Sequence, residues 1–357
     1  MMDSMNNDVL IFRADGNNSI GSGHIMRCIS IADAARKRGL KSIFLNAGDE
    51  FRKTIESHQH VCKIMYSDYK SMIDEIITLT NIINNYSPIA FFLDSYYVTP
   101  HYFDVLRKQT DCKLVYIDDM AMFSYDCDYL INYNIYGKSW EKKYRNLYKN
   151  KTIIPSFLLG TEYIPLREEF YNNKRTLINN NGSNILVSTG GADPDHFTLS
   201  LINAIKNNTD KNKKFHIVVG AMNNDKNVIK SFAKKLENVY IYENVKDMAK
   251  LMISCDVAIS AAGSTLYELC ATRTPTITYV LDDNQMYNAN CFDQLGIIQN
   301  AGDIRKYGLN ELSDRLISLA IELCGDFSKQ SLLVKKQTNV VDGLGAFRIL
   351  DEIIASE

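Results

Sequence analysis

Short apolar runs that end in polar or glycine-rich turns, each followed by a stretch of helical spacing, recur in two series along this chain. That alternation restricts it to parallel α/β architecture. The first series predicts strands at Val9 to Phe12, Ser42 to Leu45, Cys62 to Tyr66, Ile89 to Leu93, Leu114 to Ile117 and Tyr129 to Ile131. The pattern then pauses. Tyr136 to Lys151 is dense in aromatics and charge, and Glu162 to Asn181 is polar, with Pro165 and an asparagine and glycine cluster near its end, which reads as an interdomain passage. A second series follows at Ile185 to Val187, Phe215 to Val219, Val239 to Tyr242, Val257 to Ile259 and Thr276 to Val280. Two facing, doubly wound Rossmann-like domains with a cleft between them are expected, and no sequence repeat links the halves. With 357 residues, 46% of them apolar, the chain has material for two cores.

In such sheets ligands sit at the carboxyl ends of the strands, so the turns there carry the functional expectations. The first strand feeds Gly16-Asn17-Asn18-Ser19-Ile20-Gly21-Ser22-Gly23-His24, after which Ile25, Cys28, Ile29, Ala32 and Ala35 recur at helical spacing up to Gly39. His24 therefore lies on the first turn of a helix, whose dipole favours the neutral ring that a general base requires. Arg27 lies one turn further on the same side. Gly21-x-Gly23 begins like a dinucleotide fingerprint, but Met26 stands at the third glycine and Asn46 where an acidic ribose ligand belongs. The Gly16 and Gly21 spacing fits a P-loop, yet Ser22-Gly23 follows where lysine and a hydroxyl residue are required. A capping or core histidine is the remaining alternative.

In the second series, Ser188-Thr189-Gly190-Gly191-Ala192-Asp193 lets a backbone approach a ligand, with Asp193 placed to cap the next helix. Ala261-Ala262-Gly263-Ser264-Thr265 opens a helix carrying Glu268, a seat for a diphosphate that needs neither lysine nor metal. A capping box between Thr265 and Glu268 competes for the same groups. Asp94-Ser95-Tyr96 closes a strand beside the His24 loop; its alternative is a cap on the helix after Pro100, with Tyr96 packed. Asn284-Gln285 follows the last strand and suits amide or hydroxyl groups of a sugar. Arg167, in the passage, presents a guanidinium fork to phosphate, or pairs with Glu168 or Glu169. Asp118, Asp119 and Asp128 do not make a metal site, since adjacent strand carboxylates point to opposite faces. His58 and His60 are expected as a solvated pair.

Arg13-x-Asp15, Ile20-Gly21-x-Gly23-His24-x-Met26-Arg27-Cys28, Tyr163-x-Pro165-Leu166-Arg167-x-Glu169-Phe170, Ser188-x-Gly190-Gly191-x-Asp193 and Ser260-Ala261-Ala262-Gly263-Ser264-Thr265-x-Tyr267-Glu268-Leu269-Cys270 occur in that order. Together they resemble the UDP-2,4-diacetamido-2,4,6-trideoxy-β-L-altropyranose hydrolases of pseudaminic acid biosynthesis, over nearly the whole chain. Departures are Tyr133 and Ile135 in the Asn132-x-Asn134 segment, and Thr189 before the double glycine. The resemblance implies a GT-B type fold, with an N-terminal domain over 1–165 carrying the catalytic loop, a UDP-binding domain over 166–343 and a last helix, 344–357, packing back on the first. It implies metal-independent, inverting hydrolysis of the UDP-sugar with His24 as the base and no cofactor. Arg13, Asp15, Gly23, Arg27, Asp94, Tyr96, Arg167, Asn284 and Gln285 would meet the sugar side. Gly190, Gly191, Asp193, Ser264 and Thr265 would meet the diphosphate side, Glu268 the ribose, and Gly220 and Val245 the edges of the uridine pocket. The product would feed flagellin or surface glycan synthesis.

A GT-B glycosyltransferase using a UDP-amino sugar donor and a non-catalytic UDP-sugar binding protein stay open beside the hydrolase. A net charge of −2 and the lack of a basic run interleaved with aromatics give no sign of nucleic-acid binding. Met1 to Asp8 is polar and acidic, unlike a signal peptide, and no run of about eighteen apolar residues occurs. Eight scattered cysteines without a Cys-x-x-Cys pair read as reduced thiols. The expectation is a monomeric cytoplasmic enzyme without stable membrane contact.

Overall fold

The computed structural model describes residues 8–17, 20–179, 181–193, 195–208, 210 and 212–355; Asn18 and Ser19 of the glycine loop and residues 1–7 lie outside them. The chain divides into two compact units, 1–167 with 344–357, and 168–343. Each holds one parallel sheet.

Unit 1 contains β1 (Val9–Ala14), β2 (Lys41–Asn46), β3 (Val61–Ile64), β4 (Ala90–Asp94), β5 (Lys113–Ile117), β6 (Tyr129–Asn132) and β7 (Ser156–Leu159), in the order β3-β2-β1-β4-β5-β6-β7. The central strands are buried on both faces, so their sequences are continuous apolar runs rather than alternating ones. Phe12 of β1 stacks between Phe44 of β2 and Phe92 of β4, at ring-centroid distances of 5.0 and 4.7 Å. The helix Gly23–Lys37 buries Ile25, Cys28, Ile29, Ala32 and Ala35 as its spacing predicts, and Ile31 and Ala34 besides. The extra burial has a cause. The last helix, Gly345–Ile354, packs on the Gly23–Lys37 helix with Ala346, Ile349, Leu350 and Ile353 buried at i, i+3, i+4 and i+7. Its carbonyl end is held by Lys113 Nζ on Ile353 O (2.7 Å) and by the Tyr129 hydroxyl on Glu352 O (3.0 Å). Gly345 touches the chain so closely that a Cβ there would lie 2.2 Å from Ile164 O.

Unit 2 contains β8 (Asn184–Ser188), β9 (Lys214–Val219), β10 (Val239–Glu243), β11 (Val257–Ala261), β12 (Thr276–Val280) and β13 (Gln299–Asp303), in the order β10-β9-β8-β11-β12-β13. Every registered pair is parallel. Ile185, Val187, Ile259 and Ile277 line its core with Phe197 and Leu201 from the Phe197–Asn207 helix. The two edge strands β7 and β13 and the helix Phe327–Gln337 are absent from the sequence expectation.

The strand order reverses between β1 and β4 in unit 1 and between β8 and β11 in unit 2, so each sheet opens a crevice at the carboxyl ends of those pairs. The four motif-bearing turns leave these four strands.

Candidate active site

His24 enters the unit 1 crevice because β1 delivers the glycine loop there and the helix begins at Gly23. Gly21 has φ +75°, in the left-handed region that glycine enters without strain, and a Cβ at Gly21 or Gly23 would meet open space. Gly16 is different: a Cβ there would strike the Phe51 ring at 2.7 Å.

Asp94, the last residue of β4, faces His24 from the other side of the crevice. His24 Nδ1 lies 2.5 Å from Asp94 Oδ1, and both side chains are buried. Two groups approach Nδ1: that carboxylate oxygen and Arg27 Nη2 at 3.1 Å. A carboxylate only accepts, so its closer approach requires Nδ1 to carry the proton and donate. In the neutral ring that tautomer leaves the lone pair on Nε2. Arg27 donates to both oxygens of Asp94, through Nη2 to Oδ1 at 2.5 Å and through Nε to Oδ2, and donates from Nη1 to Asp119 Oδ2 at 2.9 Å and to the Tyr133 hydroxyl. Burial alone would push the Asp94 carboxyl up; Arg27 and then His24 outweigh it and hold the group well below the usual carboxylate range. Burial likewise works against the Arg27 charge, and Asp119 and Asp94 overcome it, so the guanidinium stays charged. The Tyr96 ring lies edge-on to the imidazole, centroids 4.6 Å apart, and its hydroxyl donates to Asp119 Oδ2 at 3.1 Å. Burial and the Asp119 charge raise that phenol, which stays protonated.

Several sequence expectations need correction. Asp94 caps no helix, since Thr99 caps Pro100–Gln109, and with a fully buried carboxylate it supports His24 rather than meeting a sugar. Arg13 is 0% exposed and faces Asp15 and Glu75, with Nε 2.6 Å from Glu75 Oε1; Glu75 also accepts from the Ser67 and Tyr102 hydroxyls. Asp15 spends its other oxygen on Ala47 N at 2.7 Å. Arg13 and Asp15 therefore brace the root of the glycine loop and do not line it. His58 and His60 are no solvated pair: Nδ1 of one and Nε2 of the other hold the two oxygens of Asp33, at 2.7 and 2.9 Å, and His60 is buried. After desolvation, which opposes it, their hydrogen bonds bring the Asp33 carboxyl down to about 2. Asp118 turns onto the amides of Met120 and Ala121 while Asp119 turns to Arg27. Among the described residues no group of three or more His, Cys, Asp or Glu side chains is placed to hold a metal ion. The eight cysteines are all free thiols.

In unit 2, Gly190 has φ +92° and open space where a Cβ would stand, whereas a Cβ on Gly220 would lie 2.2 Å from Gly191 O. Gly220 is thus needed for packing of the double-glycine turn. Asp193 is buried and spent on the Phe197 and Thr198 amides, both at 2.9 Å, so it caps a helix and leaves no carboxylate for a nucleotide. Ser264 is exposed and its side chain caps no amide of the helix Thr265–Ala271, while Thr265 and Glu268 are half-buried on that helix's first turn. Val245 is half-buried just past β10. Asn284 is exposed on the helix Asp283–Gln294, and Gln285 Oε1 accepts from Leu281 N at 3.0 Å, bracing the turn after β12. Arg167, half-buried, is the last residue of unit 1 before the chain enters unit 2.

Asp119 and Glu75 are the residues that motif reading missed. Asp119 had a signal, since it lies two residues past the strand β5, next but one to β1; Glu75, in a short 3₁₀ turn at Met72–Glu75, had none.

Two parallel Rossmann-like sheets in this order define a GT-B fold, and the glycosyltransferase family 28 C-terminal domain matches residues 184–311. MurG of Acinetobacter baumannii superposes with a TM-score of 0.65 over 97% of this chain and 99% of its own, at 13% identity, a likeness of fold alone. The resemblance read from the motifs recurs among curated relatives. The chain is 24% identical over 273 residues to the UDP-2,4-diacetamido-2,4,6-trideoxy-beta-L-altropyranose hydrolase of Campylobacter jejuni, spanning 76% of this chain and 92% of that one. It is also 24% identical over 343 residues to the spore coat polysaccharide biosynthesis protein SpsG of Bacillus subtilis, spanning 94% and 95%. It spans 56% of the length of an uncharacterized Methanocaldococcus jannaschii protein, to which it is 26% identical over 290 residues.

Proposed function

We propose that this protein hydrolyses a UDP-activated 2,4-diacetamido-2,4,6-trideoxy sugar, the β-L-altrose derivative, to UDP and the free sugar on the way to pseudaminic acid. The observation that carries the reading is the His24–Asp94 pair, because a carboxylate on Nδ1 leaves Nε2 as the base in a buried crevice at a strand-order reversal. His24 Nε2 takes a proton from water as the water oxygen attacks the anomeric carbon. The bond from that carbon to the diphosphate oxygen breaks, UDP leaves with the electron pair, and the sugar emerges inverted. UDP occupies the turns after β8 and β11, where Gly190, Ser264 and Thr265 offer backbone and hydroxyl donors and Glu268 accepts from the ribose hydroxyls. No step calls on a metal.

A glycosyltransferase with the same UDP seat is the second reading, and the family 28 C-terminal domain favours it. Purified protein given the UDP-sugar without an acceptor, in the presence of a chelator, separates the two. Release of UDP and free sugar over many turnovers supports hydrolysis; binding without release rejects it.

The nucleotide seat has its own test. Glu268→Ala is expected to weaken UDP by about 1.5 to 3 kcal/mol, as for hydrogen bonds to a charged group, or roughly tenfold or more in affinity. Unchanged calorimetric binding in a folded variant would leave Glu268 without a nucleotide role.

A further inference from the structure

We propose that Asp119 is a positioning residue of the His24 site, fixing the Tyr96 hydroxyl and the outer edge of the Arg27 guanidinium against the base. The proposal rests on the hydrolase reading. Asp119 follows β5, which pairs with both β4 and β6, so its carboxylate stands where the turns after all three strands converge. One oxygen, Oδ2, accepts from Arg27 Nη1 at 2.9 Å and from the Tyr96 hydroxyl at 3.1 Å; the other, Oδ1, accepts from Asn134 Nδ2 at 2.9 Å. Asn134 is itself held from behind by Asn132 Oδ1 at 3.0 Å, on a residue with no exposure. The carboxylate is therefore anchored on its β6 side and presents its second oxygen to the site.

Two routes lead from that oxygen to the imidazole. A guanidinium is planar, and Arg27 uses its Nε and Nη2 edge on Asp94, which holds Nδ1 of His24. The remaining nitrogen, Nη1, meets Asp119, so Asp94 and Asp119 together fix both the plane and the rotation of the fork. The second route is Tyr96, 43% exposed, whose ring lies against the imidazole edge and whose hydroxyl is tied down by Asp119. Without Asp119 that ring is free to turn toward solvent and the outer edge of the fork keeps only the neutral Tyr133 hydroxyl on Nη1. The Asp119 side chain, only 15% exposed, reaches His24 only through these two partners, which makes its role one of position.

The test uses the full chain, two single variants and their combination, with one further variant in reserve. Asp119→Asn keeps the shape but removes the charge, and is expected to lower kcat by about 10- to 100-fold, the usual cost of losing an outer support, while KM changes less than about threefold. Tyr96→Phe, which removes one of the two routes, should lose at most the same factor. Because the Tyr96 route runs through Asp119, the double variant should be no slower than Asp119→Asn alone. Losses that multiply, or a wild-type kcat in Asp119→Asn, overturn the proposal. Asp119→Glu, which retains the charge but displaces it by one methylene, replaces Asp119→Asn if that protein does not fold. The ¹⁵N spectrum of the His24 imidazole in the ligand-free protein supplies a readout independent of substrate. The wild type should show Nδ1 protonated, and Asp119→Asn should move the ring toward a tautomer mixture. If the wild type releases no UDP, the hydrolase reading fails, and the spectrum alone decides: a tautomer shift supports the positioning role and an unchanged imidazole overturns it.

Discussion

His24→Gln is expected to lose about 10²- to 10⁴-fold in UDP-sugar turnover, the range supplied by a positioned general base, with UDP affinity and folding nearly intact. The separation follows from where the parts sit: His24 belongs to unit 1, while the nucleotide turns proposed above belong to unit 2. Single-turnover kinetics with UDP-sugar, calorimetry with UDP and a thermal melt check the three quantities on one preparation. A capping or core histidine behaves in the opposite way, lowering the melting temperature and leaving the rate per folded molecule unchanged. A folded His24→Gln protein with near wild-type turnover ends the general-base assignment.

Asp94→Asn should damage both rate and stability. An amide in place of the carboxylate can offer its N–H toward Nδ1, which moves the imidazole proton to Nε2 and removes the base; a rate loss of about 10²- to 10⁴-fold is expected. The same change leaves Arg27 buried against a neutral group, with Asp119 as its remaining carboxylate. Removing one partner of a buried pair costs about 3 to 5 kcal/mol, and Asp119 should hold the loss toward the lower end. The pH dependence has a definite sign. The Asp94 carboxyl lies below the usual range in the folded protein and near about 3.9 when unfolded. Its stabilisation is therefore fully present above about pH 4 to 5 and is lost as pH falls through the folded value. Urea midpoints measured from neutral pH down into the acid range should converge for wild type and Asp94→Asn. Curves that stay parallel would place the acid sensitivity elsewhere.

The sequence carries eleven strands of the two sheets, because each holds a short apolar run. Of these, β1, β4, β8, β11 and β12 are buried on both faces almost throughout, while β3, β9 and β10 include half-buried or exposed positions such as Lys63, His216 and Tyr240 and are read from their remaining apolar residues. It does not carry β13. Gln299-Asn300-Ala301-Gly302-Asp303 has no strand propensity of its own and pairs because β12 offers a parallel edge. Ser156–Leu159 is missed for a related reason, being a four-residue edge strand whose first two residues are not buried. The position of His24 is legible, since a strand, a glycine turn and a helical period suffice to place it. Its pairing with Asp94, 70 residues later, is not local information; it follows from the adjacency of β1 and β4, which the sheet decides. For the same reason Arg13 and Asp15 look like ligands in a motif and prove to be braces. A charged residue beside a glycine loop reads alike in sequence whether it faces the crevice or the core.

The return of the Gly345–Ile354 helix to unit 1 has a consequence for how the protein is made. Translation delivers the seven strands of unit 1 first, yet the apolar side of the Gly23–Lys37 helix waits for its cover until the Gly345–Ile354 helix has followed all of unit 2 out of the ribosome. All of unit 2 is synthesised in between, which at about 5–20 residues per second takes on the order of ten to thirty seconds. Unit 2, an uninterrupted segment, can close before unit 1 does, so biogenesis runs against chain order. During that interval the nascent protein exposes a helix face that needs either a chaperone or the Gly345–Ile354 helix, and a variant truncated after Gly343 is expected to keep unit 2 folded while unit 1 loses stability.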